Sequence, residues 1–374
     1  MLLSASLLAT ALCAATASAL PAKDSCSAPA PPKHSLPSSF TWTSTGPLVG
    51  PKDDGRELAG IKDPSVVKIN GTYHVFASTA KAEGYNLVYF NFTDPARAGD
   101  APFAYLDQAP LGEGYRAAPQ VFYFAPHKLW YLVYQDGNAA YSTNPDIGDP
   151  TGWTAPKHFY PEMPQIIADN IGEGYWVDMW VICDEQDCHL FSSDDNGHLY
   201  RSQTKITDFP EGMSEPVIAL QDEDRFRLFE ASCIYRIKGD GQGQGKGKGK
   251  GKGKGRNENK DQYLLLVEAI GTDSHRYYRS WTGESIDGEW TPLADTEENP
   301  FARSNNVVFD EGVEPWTMSI SHGELVRTET DQTLTISPCN LEFMYQGMDP
   351  DAGDVEYNAL PWRLAFIRQT NSLC

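Results

Sequence analysis

The segment Asp63-Pro-Ser-Val-Val-Lys-Ile-Asn-Gly-Thr-Tyr-His-Val-Phe-Ala77 has the pattern of a β-hairpin. Two runs rich in β-branched and aromatic residues flank Asn70-Gly71, which is a preferred two-residue hairpin turn. Further segments share this plan of an apolar run, a turn and a second apolar run. They begin at Pro119, Asp178, Glu230 and Glu314.

The spacing of these segments predicts the architecture. The first four begin 52 to 59 residues apart, a period typical of small sheets repeated around an axis. No stretch shows a sustained helical period, so the sequence predicts an all-β protein, a five-bladed β-propeller over residues 39–374. Phe40–Trp42 and Trp362–Ile367 are expected to supply strands that close the ring.

Length and charge limit the possible functions. The chain has 374 residues, 40% of them hydrophobic, which is enough for one large all-β domain with a real core. Acidic residues number 51 against 30 basic ones, so the net charge is −21. Nucleic acids and anionic membranes are therefore poor partners, whereas a neutral or cationic substrate is compatible with this charge.

Residues 1–19 have the composition of a secretory signal peptide. They are apolar or small, carry no charge and end in the cleavage motif Ala17-Ser18-Ala19. A transmembrane anchor is the alternative, but Ser, Thr and Ala dilute the apolar run. Residues 20–38 are expected to be a Pro-rich leader to a secreted, extracellular protein. Asn70 and Asn91 each begin an Asn-x-Thr acceptor for glycosylation.

Six cysteines follow the signal segment and would allow three disulfides. They are Cys26, Cys183, Cys188, Cys233, Cys339 and Cys374. Cys183 and Cys188 flank a short polar stretch between two apolar runs, so we expect them to clip a hairpin. A zinc site is the alternative, although no second pair of Cys or His accompanies them.

Residues 239–256 interrupt the fourth repeat with alternating Gly and Lys. Their composition cannot form a core and predicts a disordered hairpin loop with six basic side chains. One possible function is attachment to acidic polysaccharide in a cell wall. A tolerated insertion into a surface loop is the simpler interpretation, because loops accept added length at low cost.

Three acidic residues stand immediately before apolar runs that open repeats: Asp63, Asp178 and Glu230. The inner strand of each propeller blade lines the central channel, so their carboxyl groups should converge at one mouth of it. Converging acids repel each other, and at least one should keep its proton above its ordinary pKa. Such a group is suited to general acid–base catalysis.

Four longer motifs occur in the order Gly60-Ile-Lys-Asp-Pro-Ser65, Tyr175-Trp-Val-Asp-Met-Trp180, Leu228-Phe-Glu-Ala-Ser232 and Tyr357-Asn-Ala-Leu-Pro-Trp362. In sequence and order they resemble glycoside hydrolase family 62, the secreted arabinoxylan α-L-arabinofuranosidases. The resemblance covers about residues 39–369. It implies a five-bladed β-propeller that hydrolyses glycosides with inversion, and the Gly–Lys segment is its departure from the family.

The resemblance assigns roles to the three acids. Asp63 would be the general base, Glu230 the general acid, and Asp178 the residue that orients the acid and raises its pKa. An inverting glycosidase needs one ionised and one protonated carboxyl group on opposite faces of the sugar.

Four more site residues follow from the same resemblance. Lys62 would contact the bound sugar, and Tyr357 and Asn358 would hold the xylan chain. His322 would be a ligand for calcium on the channel axis, with water in most other positions because calcium prefers oxygen. A hydrogen-bonded strand histidine is the alternative at this position.

The predicted function is therefore removal of α-L-arabinofuranosyl side chains from arabinoxylan by a secreted monomer that needs no organic cofactor. Two alternatives remain open. One is a related five-bladed glycosidase, such as an arabinanase or a β-xylosidase. The other is a carbohydrate-binding propeller without catalytic activity, against which the acids at all three matching positions argue.

Overall fold

Strands make up most of the residues described by the computed structural model, which are 35–239, 260–353 and 355–374. The predicted signal peptide, most of the leader and most of the Gly–Lys segment lie outside the described residues. The strands form five sheets, and the inner strand of each sheet contacts the inner strands of its two neighbours. The prediction of an all-β, five-bladed β-propeller is confirmed.

Blades I to III each contain four antiparallel strands in chain order from the channel outward. A short strand, β1 (Trp42–Ser44), precedes them. The strands are β2 (Gly60–Ile69), β3 (Thr72–Lys81), β4 (Gly84–Phe92) and β5 (Ala104–Tyr105) in blade I; β6 (Ala117–Phe124), β7 (Leu129–Gln135), β8 (Ala139–Asn144) and β9 (Lys157–His158) in blade II; and β10 (Val177–Cys183), β11 (Asp187–Ser193), β12 (His198–Lys205) and β13 (Val217–Gln221) in blade III.

Blades IV and V complete the ring. The remaining strands are β14 (Glu230–Ile237), β15 (Gln262–Ile270), β16 (Arg276–Gly283), β17 (Thr291–Ala294), β18 (Val307–Phe309), β19 (Ser321–Leu325), β20 (Thr335–Ile336), β21 (Glu342–Gly347) and β22 (Arg363–Gln369). Blade IV runs outward from β14 to β17, and blade V has the order β19, β21, β22, β1, β18. Because Trp42 of β1 pairs with Gln369 of β22, the predicted closure of the ring is confirmed.

Strand β20 lies elsewhere than predicted. The repeat places it in the fifth unit, but Thr335 pairs with Arg236 of β14 and so extends blade IV. The chain before β20 crosses one end of the channel, where successive carbonyl groups accept backbone N–H groups from the inner strands of blades II, III and IV. These carbonyls belong to Thr330, Gln332 and Leu334. This crossing covers one end of the channel and leaves the opposite end for a site.

The inner strands are buried on both faces, which explains their continuous apolar runs. Every residue of β10 is buried, as are the first eight residues of β2. A short apolar run without alternation is the pattern of a strand covered on both sides.

Helices are few and short. They are one α-helix, α1 (Gln165–Asn170), and 3₁₀ turns at Pro95–Asp100, Leu106–Gln108, Arg225–Arg227 and Tyr357–Ala359. Within the described part of the chain, no helix has the length and apolarity required to span a membrane.

Two disulfides occur among the described residues, Cys183–Cys188 and Cys339–Cys374. Cys183 and Cys188 are paired residues of the β10–β11 ladder, so the predicted hairpin clip is confirmed and the zinc alternative is wrong. Cys233 is a buried free thiol whose Sγ lies 3.3 Å from the Gly323 carbonyl oxygen. The third disulfide that the cysteine count allows is absent at Cys233, because β14 places this side chain inside the propeller. Cys26 lies outside the described residues.

Candidate active site

The inner strand of every blade carries a β-bulge near the same end of the channel. The first bulged residues are Asp63 in β2, Ala118 in β6, Asp178 in β10, Ala231 in β14 and His322 in β19. The first four have φ between 49° and 59°, a left-handed conformation that is uncommon outside glycine. Bulges re-aim side chains and are frequent beside active sites. This end of the channel is called the mouth below.

Each bulged N–H group lacks a ladder partner, and a side chain from the preceding blade accepts it. The acceptors are Gln346 for Asp63, Ser78 for Ala118, Gln135 for Asp178, Asp178 for Ala231 and Glu268 for His322, at N···O distances of 2.5–2.9 Å. The pattern runs around the whole ring. It satisfies every one of these buried donors and fixes the blades against each other at the mouth.

Glu230 does not occupy the position that the repeat predicts. Asp63 and Asp178 are bulged residues, whereas Glu230 directly precedes the bulge of its strand and is equivalent to Lys62. The bulged position in β14 belongs to Ala231. The position rule is therefore wrong by one residue for Glu230, because an apolar run does not show where a bulge begins. The three acids still meet at the mouth, because the negative charges of Glu230 and Asp63 are close enough to raise the pKa of Asp178.

Asp63 lies beside two nitrogen-bearing side chains and is only 4% exposed. Its Oδ1 is 3.6 Å from Lys62 Nζ and 3.4 Å from His322 Nδ1. The same His322 nitrogen is 3.9 Å from Asp178 Oδ1. The imidazole predicted to bind a metal therefore stands between two of the predicted catalytic acids.

Asp178 connects blade III to blade IV directly beside Glu230. Its Oδ2 accepts the Ala231 N–H group at 2.7 Å. Burial, reinforced by the negative charges of Glu230 and Asp63, raises the pKa of Asp178 well above its ordinary value. Asp178 therefore keeps its proton to higher pH than an exposed aspartate does.

Glu230 is paired with Arg276, whose guanidinium contacts the carboxylates of Glu230 and Glu268 at once. Burial raises the pKa of Glu230, but the charges of Arg276 and Lys62 outweigh burial and the pKa lies below its ordinary value. Glu268 is fully buried, and burial keeps its pKa above the ordinary value in spite of Arg276. In the free protein Glu230 is thus the ionised partner of Arg276.

Lys62, Tyr357 and Asn358 lie on one side of this cluster. The Tyr357 hydroxyl is 3.4 Å from Lys62 Nζ and 3.4 Å from Arg276 Nη2, so it connects the two cations. Lys62 Nζ also lies 4.9 Å from the ring centroid of Tyr85, and the Tyr85 hydroxyl donates to Asn358 Oδ1 at 2.5 Å. The structure therefore brings every predicted site residue into one connected group.

Three ionisable residues of the site were not predicted from the sequence: Arg276, Glu268 and Asp195. Glu268 could have been identified from the sequence, because it is an acidic residue inside the apolar run of the strand Gln262–Ile270 and is buried with that strand. Asp195 sits in the turn Asp194-Asp-Asn-Gly197 between β11 and β12, which reads as an ordinary hairpin turn. Arg276 begins the third strand of its blade, and nothing in its local sequence marks it.

Glycosidic bond hydrolysis uses a pair of carboxyl groups, and the mouth brings together Asp63, Asp178 and Glu230 from three different blades. Fold and site together define the class of the protein as a propeller glycoside hydrolase. Within that class the family is settled by the match of the model for glycosyl hydrolase family 62 to residues 41–368: the chain belongs to this family. The expectation drawn from the four motifs is confirmed.

Proteins with high sequence identity to this chain support the family assignment. Alpha-L-arabinofuranosidase C of Cellvibrio japonicus (strain Ueda107) is 40% identical over 336 residues, which are 89% of this chain and 48% of that protein. The chain thus spans about half the length of this curated relative. The α-L-arabinofuranosidase of Podospora anserina in complex with cellotriose is 65% identical, with a TM-score of 0.83 over 91% of this chain and 99% of that chain. A family 62 hydrolase in complex with xylotriose is also 65% identical, with a TM-score of 0.81 and coverages of 89% and 98%.

Proposed function

We propose that this protein is an inverting α-L-arabinofuranosidase that removes arabinose side chains from arabinoxylan. The observation that carries the proposal is the single cluster formed by Asp63, Asp178 and Glu230, in which Asp178 Oδ2 accepts the N–H group next to Glu230 and His322 Nδ1 lies 3.4 Å from Asp63 and 3.9 Å from Asp178. The activity is supported by the two similar α-L-arabinofuranosidases. Xylan as the main chain is supported by the relative in complex with xylotriose, a short chain of xylose units.

The surroundings of the acids suit a neutral sugar. Lys62, Arg276 and the Tyr357 hydroxyl provide hydrogen-bond donors beside the carboxylate acceptors, so sugar hydroxyl groups find partners of both kinds. Large aromatic side chains are exposed on the segments that lead to this end of the channel, namely Tyr115, Tyr175, Phe226 and Tyr357. Their amphipathic rings are suited to the faces and hydroxyl groups of a polysaccharide chain.

In the proposed reaction Glu230 protonates the departing xylan oxygen while Asp63 removes a proton from the attacking water. The two residues belong to blades IV and I, which are separated by blade V. Their carboxyl groups therefore do not face each other across one strand spacing of about 4.8 Å. A wider gap is what an inverting enzyme needs to admit the water.

Two substitutions test this division of roles on two substrates. Losing a general acid or base costs about 10²–10⁴-fold in rate. A nitrophenyl group departs without protonation, so Glu230→Gln should keep far more activity on nitrophenyl α-L-arabinofuranoside than on arabinoxylan. Asp63→Asn should be crippled on both, because water must attack in either case.

The configuration of the product and the comparison between substrates can each contradict the proposed roles. The first arabinose released should have the inverted anomeric configuration by NMR, and retained configuration would exclude a base role for Asp63. Equal impairment of Glu230→Gln on both substrates would exclude Glu230 as the acid. An arabinanase or β-xylosidase would release no arabinose from arabinoxylan, and a carbohydrate-binding propeller would bind it without hydrolysis.

We also infer that the protein is secreted and acts as a monomer. Support for secretion comes from the signal-like residues 1–19 and from the two disulfides, which persist in oxidising compartments. The mature protein recovered from the medium should begin at Leu20 by N-terminal sequencing. An uncleaved N-terminus would contradict this inference.

Calcium at His322 remains a proposal, and the residues present fit it poorly. Calcium takes six to eight oxygen ligands, whereas His322 offers nitrogen and its Nδ1 faces two acids of the site. Among the described residues no group of three or more His, Cys, Asp or Glu side chains is arranged to hold a metal ion. An ion bound here would depend on water for most of its ligands, and no step of the reaction is derived through it.

A further inference from the structure

A further carboxyl group, that of Asp195, lies at the mouth beside Glu230. Its side chain belongs to the β11–β12 turn of blade III, is only 8% exposed and reaches Glu230 within hydrogen-bonding distance. Its Oδ1 atom is buried and has no hydrogen-bond partner among the residues that the structure describes. Native proteins rarely leave a buried polar atom unpaired, and such atoms cluster where function requires them.

The turn that carries Asp195 is held firmly by its neighbours. The adjacent Asp194 is fully buried and accepts hydrogen bonds from His198 Nδ1 at 2.7 Å and from the Tyr200 hydroxyl at 2.8 Å. Asp195 itself has φ of 53°, a left-handed conformation that aspartate adopts more readily than most residues in a turn. Buried hydrogen bonds to Asp194 therefore fix the turn that carries Asp195.

The Asp194 backbone is also packed against Gly174. A Cβ atom added to Gly174 would lie 1.9 Å from the Asp194 carbonyl oxygen. Only glycine fits there, which fixes the turn from the side of the segment leading into β10.

Three ionisable groups from neighbouring strands interact electrostatically with Asp195: Glu230 of β14, Asp178 of β10 and Arg276 of β16. Burial, reinforced by Glu230 and Asp178, raises the pKa of Asp195 to about 9, while Arg276 opposes the increase. At neutral pH the hydrogen-bonded pair of Asp195 and Glu230 therefore holds one proton between its two carboxyl groups. This arrangement stores a proton next to the residue that must deliver one.

We propose that Asp195 is a positioning residue that supplies Glu230 with the proton it passes to the leaving group. This proposal rests on the proposed function. The proton of Asp195 moves to Glu230 and from Glu230 to the xylan oxygen, whose bond to the anomeric carbon breaks. The oxygen of water forms the new bond to that carbon, and its proton goes to Asp63. Asp195 is left ionised and takes up a proton from solvent, while Asp63 releases one.

Asp195→Asn tests the proposal, because Asn keeps a hydrogen-bond donor but has no proton to give. Turnover of arabinoxylan should fall at least about tenfold, toward the range for loss of a general acid. Nitrophenyl α-L-arabinofuranoside should be turned over within about threefold of wild type, because its leaving group needs no protonation. In the pH profile of kcat/KM on arabinoxylan, the alkaline limb should move to lower pH by about one unit or more.

Asp187→Asn is the matched control. Asp187 starts β11 at the opposite end of the same hairpin and pairs with Lys205 at 2.9 Å, so this variant should match wild type on both substrates at every pH. Equal losses of Asp195→Asn on the two substrates with an unmoved alkaline limb would show a merely structural role and overturn the proposal.

A second variant, Asp195→Glu, tests the proposal even if Asp195→Asn does not fold. Asp195→Glu retains a carboxyl proton and should keep the alkaline limb of the wild type even at reduced turnover; a limb shifted downward would overturn the proposal. Wild-type protein that hydrolyses neither substrate would instead refute the proposed function, and this outcome is independent of any comparison between variants.

Discussion

The buried carboxylates of the site depend on Arg276 for their countercharge. Its guanidinium contacts Glu230 and Glu268 together, its own side chain is 13% exposed, and those two side chains are 17% and 0% exposed. Arg276→Met keeps much of the bulk but removes the guanidinium countercharge from both carboxylates. Removing one partner from a buried ion pair costs roughly 3–5 kcal/mol. We expect a loss of unfolding free energy of about that size at pH 8.

The loss should shrink as the pH falls. Burial raises the pKa of Glu230 and Arg276 lowers it, with a net value below the ordinary one. A carboxyl group with a lowered pKa stabilises the fold above its unfolded pKa, and this contribution disappears as the pH falls through the folded pKa. In Arg276→Met, Glu230 and Glu268 can take up protons and lose their buried charge. Wild type and variant should therefore differ most at pH 8 and least near pH 4.

Arg303 provides a matched control on the same blade. Its side chain is 12% exposed and bridges Asp273 and Glu297 at 2.8 Å each, but these partners are 40% and 24% exposed. Ion pairs with exposed partners contribute about 1 kcal/mol or less, so Arg303→Met should lose little at either pH. Urea unfolding followed by tryptophan fluorescence at pH 8 and pH 4 measures both variants. Equal losses in the two, or a pH-independent loss in Arg276→Met, would refute the reasoning.

Two further predictions concern the Gly–Lys segment and calcium. Replacing Gly241–Gly255 with a short Gly linker should leave turnover of soluble arabinoxylan within about twofold, since loops tolerate changes in length. The flanking pair Ile237 and Gln262 ends the β14–β15 ladder seven residues from Glu230, roughly 23 Å along the strand; a large loss would place the segment in the site. Because the residues around His322 fit calcium poorly, adding calcium to chelator-treated protein should change the thermal unfolding midpoints of wild type and His322→Ala equally. A rise in wild type that His322→Ala loses would contradict this expectation and show that His322 helps to bind the ion.

Local pattern in the sequence was sufficient to predict the propeller. Strand, turn and strand recur every 52 to 59 residues over the first four repeats, and an apolar run long enough to be buried on both faces marks each inner strand. Asp63 and Asp178 could be placed at the mouth for the same reason, because each directly precedes such a run. Roles for these acids came from the resemblance of the motifs to family 62, not from the repeat.

Only the tertiary structure decided how the acids are charged. Arg276 contacts a glutamate 46 residues before it, and Asp195 faces Glu230 across the boundary between blades III and IV. The offset of Glu230 from the bulged position depends on ladder register, which pairs strands through hydrogen bonds and leaves no mark in composition. Hydrophobic periodicity reports which face of a strand is buried. It carries no information on which polar groups from separate blades share one buried volume, and in that volume the pKa of each group is set by its neighbours.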